Sequence, residues 1–151
     1  MAELTTEITL DAPIERIWQL LIDFGLYPEW NPLFTKATGP VSPGERFDLV
    51  VKLPGMDPFP IKPVLQEAEP KSRLSWQSSM LSSAVLSWTF CYELHSLSPD
   101  RLRLTQRSSF KGLLSPLFSF AMKKPVTDGM KSLNDALKRW GEKGNVSCMK
   151  C

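Results

Sequence analysis

Between Pro116 and Glu142 apolar residues return every three or four positions: Phe118, Met122, Val126, Gly129, Met130, Leu133, Leu137 and Trp140. That period predicts one helix with a single apolar stripe. Its opposite face carries Lys123, Lys124, Asp128, Lys131, Asp135, Lys138 and Arg139 and is expected in water. Pro125 is expected to kink or restart the helix. A long helix with one apolar face needs a cover, and the rest of the chain offers mainly strands. Two adaptable Met side chains and a Gly lie mid-stripe, a surface suited to closing a room. The expected arrangement is a curved antiparallel sheet wrapped round this helix, with an apolar cavity between them.

In chain order, Leu4 to Leu10 alternates and reads as the first strand, with Leu4, Ile8 and Leu10 inward. Asp11 can cap the helix that follows, with Pro13 and Glu15 in its first turn. Ile14, Ile17, Trp18, Leu21 and Ile22 form its apolar face. Leu26 to Pro32 predicts a second short helix, broken by Pro28 and Pro32. Six strands follow: Leu33–Thr38, Arg46–Leu53, Phe59–Ala68, Arg73–Met80, Ala84–Leu94 and Leu102–Phe110. Pro60 and Pro63 make the third of these irregular or an edge. Ser115 is the expected cap of the long helix and Pro116 its first residue.

At 151 residues this is one domain, 1–143, with a disordered tail over 144–151. The net charge of +2 gives no reason to expect nucleic acid, and no apolar run is long enough for a membrane span. With no basic region and apolar core at the N-terminus no signal peptide is read there, and Ala at residue 2 excludes myristoylation. Three cysteines suit a reducing, cytoplasmic setting. Cys148 and Cys151 form a C-x-x-C with no second pair, too little for zinc. No cofactor and no metal is expected. Monomer and homodimer both stay open.

The block Ile8-Thr9-Leu10-Asp11-Ala12-Pro13-Ile14-Glu15-Arg16-Ile17-Trp18, with Asp23-Phe24 and Tyr27-Pro28-Glu29-Trp30-Asn31-Pro32, resembles the SRPBCC superfamily, also called START-like. Glu69-Pro70, Leu74-Ser75-Trp76, Gln106, Phe110-Lys111-Gly112-Leu113-Leu114, Gly129-Met130, Leu133-Asn134 and Leu137-Lys138 extend the resemblance over about residues 4 to 142. It implies an α+β helix-grip fold: a seven-stranded curved antiparallel sheet around the C-terminal helix, with two short helices between strands 1 and 2. The superfamily includes polyketide cyclases and dehydratases, carriers and hormone sensors, so the resemblance speaks for fold before reaction. Many bacterial relatives carry Gly and His where Leu86-Ser87-Trp88 stands here, which adds bulk at the sheet's inner face.

The alternation aims few polar groups inward: Ser78, Tyr92, Gln106, Ser108 and the indole N–H groups of Trp76 and Trp88. Tyr92, Gln106 and Ser108 are the candidate catalytic residues, able to hold a carbonyl or enol oxygen. Candidate walls are Trp30, Phe47, Trp76, Ser78, Trp88, Phe90, Phe110, Phe118, Met122 and Met130. Core packing and local hydrogen bonds are the competing roles for these side chains. His95 falls on the outer face, and carboxylates in reach of a cavity mouth are Asp23 and Glu29, with Glu67 a third if the register through Pro63 turns it inward. With aromatic walls and no strong base, such a room suits shaping a reactive substrate and polarising its carbonyl. Three functions fit a hydrophobic small-molecule site. The first is a cyclase, dehydratase or isomerase acting on a polyketide-like intermediate. The others are a non-catalytic carrier or sensor of a lipid or isoprenoid, and a chaperone-binding module that uses the groove for a partner.

Overall fold

The first and last strands are neighbours. In a computed structural model, which describes residues 2–80, 82 and 84–149, β1 (Ala2–Leu10) pairs antiparallel with β8 (Arg101–Lys111) along its whole length. β7 (Leu86–Ser98), β6 (Arg73–Met80) and β5 (Val64–Glu69) complete a five-stranded sheet in the order β1-β8-β7-β6-β5. A second sheet runs β2-β3-β4, from β2 (Phe34–Thr38), β3 (Asp48–Val51) and β4 (Phe59–Ile61). The segment before β3 joins the two. Arg46 bridges Val64, Gly44 N–H donates to Leu65 O at 2.8 Å, and Leu65 N–H donates to Glu45 O at 2.9 Å.

The architecture is the expected α+β helix-grip arrangement, with eight strands among the described residues in place of seven. The additional strand comes from residues 59–68, expected as one piece. Proline at 63 has no N–H to give a ladder, and there the chain leaves β3 and crosses to β6. Its carbonyl is used instead, accepting from Phe47 N–H at 3.1 Å.

Two short helices sit between β1 and β2. α1 (Ile14–Ile22) buries Ile17, Trp18 and Leu21, and a 3₁₀ turn at Phe24–Leu26 leads into α2 (Tyr27–Trp30). Asp11 does not cap α1: Pro13 holds that position with no side-chain cap. Asp11 instead pairs with Arg101 at 3.1 Å, and its N–H donates to Glu142 at 2.9 Å.

The long helix α3 (Ser115–Met149) starts at Ser115 itself and runs through Pro125. Val126, Met130, Leu133 and Leu137 of the stripe are fully buried, joined by Ala136. Trp140 is not part of the buried face; it is 41% exposed. Gly141 takes the inner place one residue on, because a side chain there would run into Ile17 Cδ1. The helical backbone continues over 144–149, the stretch expected as a tail, while Lys150 and Cys151 lie outside the described residues. Among the described residues no helix is long and apolar enough to cross a membrane.

The sheet's convex face is held by charge. Glu67, Arg73, Glu93, Arg107 and Glu3 form an ion-pair chain that crosses β5, β6, β7, β8 and β1 in turn, at 3.2, 3.3, 2.5 and 3.2 Å. Cys91 lies under this chain. Burial pushes its thiol up to about 11 although Arg73 pulls the other way, so it stays protonated and inert.

Candidate functional site

Strand register sorts the concave face into rows. Leu74, Tyr92, Gln106 and Thr6 are cross-strand neighbours in one row. Trp76, Phe90, Ser108 and Leu4 form the next, and Ser78, Trp88 and Phe110 the third. The first row lies deep, under the middle of α3. The third lies towards the start of α3, where Phe110 meets Phe118 edge to face at 5.1 Å.

The deep row is polar and bonded to the helix. Gln106 Nε2 donates to Met130 O at 2.9 Å and to Asn134 Oδ1 at 2.5 Å, and Asn134 Nδ2 donates to Thr6 Oγ1 at 3.1 Å. These bonds fix the Gln106 amide with its Oε1 buried and without a hydrogen-bond partner. Ser108 is engaged too, its Oγ accepting from Trp88 Nε1 at 2.5 Å.

Beside this row two loop residues from α2 close in. Asn31 Oδ1 accepts from Leu33 N–H at 3.0 Å and Phe34 N–H at 2.8 Å, which turns its amide nitrogen away from them. Tyr27 donates its hydroxyl to Leu21 O at 2.5 Å, satisfying an end carbonyl of α1. The Tyr92 hydroxyl interacts with both Tyr27 and Asn31, yet it makes no hydrogen bond of normal geometry. Asn31 Nδ2 and Trp30 Nε1 are likewise buried and unpartnered. Burial, then the Asp23 charge, pushes the Tyr27 phenol far up; burial, then Tyr27, does the same to Tyr92. Both are therefore donors at neutral pH and not bases.

Between the rows and the second sheet, rings meet. Trp76 stacks on Phe90 at 5.7 Å, and Phe34 stands edge-on to Phe90 at 4.9 Å and to Trp76 at 5.2 Å. Phe47 abuts Trp76 at 5.4 Å and stacks on Phe24 at 4.9 Å. The middle of the expected room is thus an interlocked aromatic cluster. The third row is buried as well, with Trp88 stacked on Phe110 at 5.8 Å, but Phe118 and Met122 of α3 above it are only half-buried, which makes this the less covered end. Ser119, buried there, has an unpartnered hydroxyl.

The candidate residues are therefore divided. Trp76, Phe90 and Phe47 share the aromatic cluster, with Trp30 set edge-on to Tyr27 at 5.7 Å beside it. Ser78, Trp88, Phe110, Phe118 and Met122 belong to the less covered end, and Met130 to the deep row. The expected mouth carboxylates are elsewhere. Glu67 faces the convex side on Arg73 and Ser75, while Asp23 and Glu29 are exposed. His95 is exposed as expected. Tyr27, Asn31 and Asn134 were missed as site residues. All three stand in motifs that the sequence displays, and Asn134 interrupts an apolar stripe one turn after Met130, which was its signal. Among the described residues no cluster of His, Cys, Asp and Glu could hold a metal.

The fold recurs in solved structures. A START superfamily protein from Mycobacterium smegmatis superposes with a TM-score of 0.72 at 16% identity, over 93% of this chain and 97% of that one. Norcoclaurine synthase from Thalictrum flavum gives 0.70 at 15% identity, over 95% and 96%. The di-domain ARO/CYC protein BexL of the BE-7585A biosynthetic pathway gives 0.71 at 15% identity, over 91% of this chain and 46% of that one. No curated protein matches the chain by sequence. Residues 1–142 match the family described as polyketide cyclase/dehydrase and lipid transport, and the chain belongs to that START-like family.

Proposed function

We propose that the chain binds an apolar, oxygen-bearing small molecule between the concave sheet and α3. The ligand's body enters at the less covered end, against Trp88, Phe110, Phe118 and Met122, and its oxygen reaches the deep row by displacing the aromatic side chains of the row between. One observation carries this reading. Gln106 Oε1, in a buried apolar interior, has no hydrogen-bond partner, and its cross-strand neighbour Tyr92 Oη meets only Tyr27 and Asn31, in contacts short of normal hydrogen-bond geometry. An unmet buried polar group costs about 1–3 kcal/mol, and a ligand hydroxyl or carbonyl that meets one recovers that cost. Family membership supports a hydrophobic ligand.

The buried polar residues on the concave side are amides, hydroxyls and phenols, with no carboxylate or imidazole among those described. A carrier or sensor needs nothing more. Native mass spectrometry of freshly purified protein tests the proposal. A co-purified small molecule that is lost in Trp88→Ala supports it. No bound mass, together with no thermal shift across oxygenated polycyclic and isoprenoid compounds, overturns it.

A second reading, a cyclase or dehydratase, is favoured by the Tyr92 phenol. It keeps its proton, and by exchanging its imperfect contact with Tyr27 for a substrate carbonyl it can polarise that carbonyl. Turnover of a polyketide-like intermediate, with kcat falling in Tyr92→Phe while KM holds, supports this reading. Binding without turnover leaves the carrier.

A further inference from the structure

The outer side of the first turns of α3 is apolar and uncovered. Leu113 is 81% exposed, Leu117 72% and Phe120 87%, with Leu114 beside them at 43%. Their spacing of four and three puts them on one face of the helix and its lead-in. The opposite face of the same turns is already used, with Phe118 on Phe110. The patch is also held in place. Gly112 adopts φ +111°, and a Cβ there would lie 2.6 Å from Val85 O. Leu113 N–H donates to Ala84 O at 3.0 Å and Leu114 N–H to Val85 O at 2.9 Å. These contacts pin the lead-in to the β6–β7 turn, so the leucines cannot fold back into the core.

Lysines flank the patch in the sequence. Lys111 stands at one end and Lys123 and Lys124 at the other, all exposed. Between Asp100 and Asp128 the sequence contains no acidic residue. Lys124 has an exposed partner in Asp128 at 3.0 Å, a pairing that water and salt weaken.

We propose that this face docks on an anionic lipid surface, with Leu113, Leu117 and Phe120 entering the headgroup–acyl boundary and the three lysines on phosphate or carboxylate headgroups. An apolar stripe with a basic rim is what interfacial binding requires. A second copy on the same face would bring the lysines of both chains together, and like charges at a symmetric contact repel. The patch is short, so binding is weak and reversible. This inference does not depend on the ligand reading, because an empty protein would dock equally.

The test is co-sedimentation of the full chain with vesicles of phosphatidylcholine containing 30% phosphatidylserine, and with phosphatidylcholine alone. Expected is binding to the anionic vesicles that falls at least tenfold without phosphatidylserine or in 0.5 M salt. The triple variant Leu113→Ser, Leu117→Ser, Phe120→Ser weakens binding at least tenfold, as does the separate variant Lys111→Gln, Lys123→Gln. Circular dichroism and an unchanged Tm show that both stay folded. No binding to anionic vesicles overturns the proposal, and so does binding that the triple variant leaves intact. Dimerisation in sedimentation velocity that the triple variant abolishes, without vesicle binding, assigns the face to self-association and also overturns it.

Discussion

The middle of α3 and its first turns bury the same kinds of residue to very different degrees. From Val126 to Leu137 the helix lies directly on the fold, with Val126, Met130, Leu133, Ala136 and Leu137 buried. Gly129 lets it approach, since a Cβ there would stand 2.8 Å from Leu33 Cδ1 and 3.5 Å from Leu53 Cδ2. Gln106, Asn134 and Thr6 lock this stretch through three hydrogen bonds. From Leu113 to Met122 nothing comparable occurs. Phe118 and Met122 are half-buried, and Leu117 and Phe120 face outward. The difference separates a structural stretch, closed by a small residue and buried amides, from one whose apolar side chains stay partly or wholly uncovered.

The sharpest way to break that contrast is truncation on each side. Leu133→Ala is expected to lower unfolding free energy by about 2–5 kcal/mol, as for a core leucine. Leu117→Ala is expected to change it by less than about 0.5 kcal/mol. Urea denaturation measures both, and similar losses would mean the two stretches are not distinct.

Crowding the close approach comes next. Gly129→Val forces Leu33 or the helix to shift and is expected to cost about 1–3 kcal/mol. The same change at Ser119, at the less covered end, is expected to cost less. If thermal unfolding ranks them the other way, α3 does not lie as tightly at Gly129 as described.

Of similar size is the coupling inside the lock. Gln106→Leu and Asn134→Leu each strand a buried partner, at about 1–3 kcal/mol. The double variant is expected to lose less than the sum, with a coupling of about 0.5 kcal/mol or more. Additive losses would show that the two amides act independently.

The phenols give the smallest effect near neutrality. Their pKa values are raised in the folded chain above the ordinary 10.0. The folded state therefore keeps protons that the unfolded state releases above pH 10. Stability from this source is complete below pH 10 and falls as pH rises beyond it, by about 1.4 kcal/mol per unit for each phenol. Tyr92→Phe is expected to flatten that decline. At pH 7 it is expected to be neutral or to stabilise by about 1 kcal/mol, because it removes an unmet hydroxyl. A clear loss of stability at pH 7 would show that the hydroxyl has a partner after all.

Much of the fold was legible because strand and helix periods are local. Phe90, Tyr92, Gln106 and Ser108 were assigned to the inner face by alternation, and register puts them in neighbouring rows. The α3 stripe was read correctly except at its end, where Trp140 turns outward and Gly141 inward. A period of 3.6 drifts against a step of seven, so the buried line moves by a residue over several turns. The site was less legible. The face of Glu67 stayed open in the sequence because the register through Pro63 is not local, and a bulge between Leu65 and Glu67 sets it on the convex side. Tyr27 and Asn31 stood in the most recognisable motif, and nothing local indicates that they converge on Tyr92.

The sequence by itself determined the order of elements, the face of most side chains in the regular strands and most of the apolar line of the last helix, because neighbours within a few residues settle these. The tertiary structure alone decided where the sheet divides at Pro63, which carbonyl Gln106 binds, and which stretch of α3 is sealed. The bonds that decide the lock join residues 24, 28 and 128 positions apart. Periodicity states which way a group points, and only the folded chain brings up the group that stands opposite.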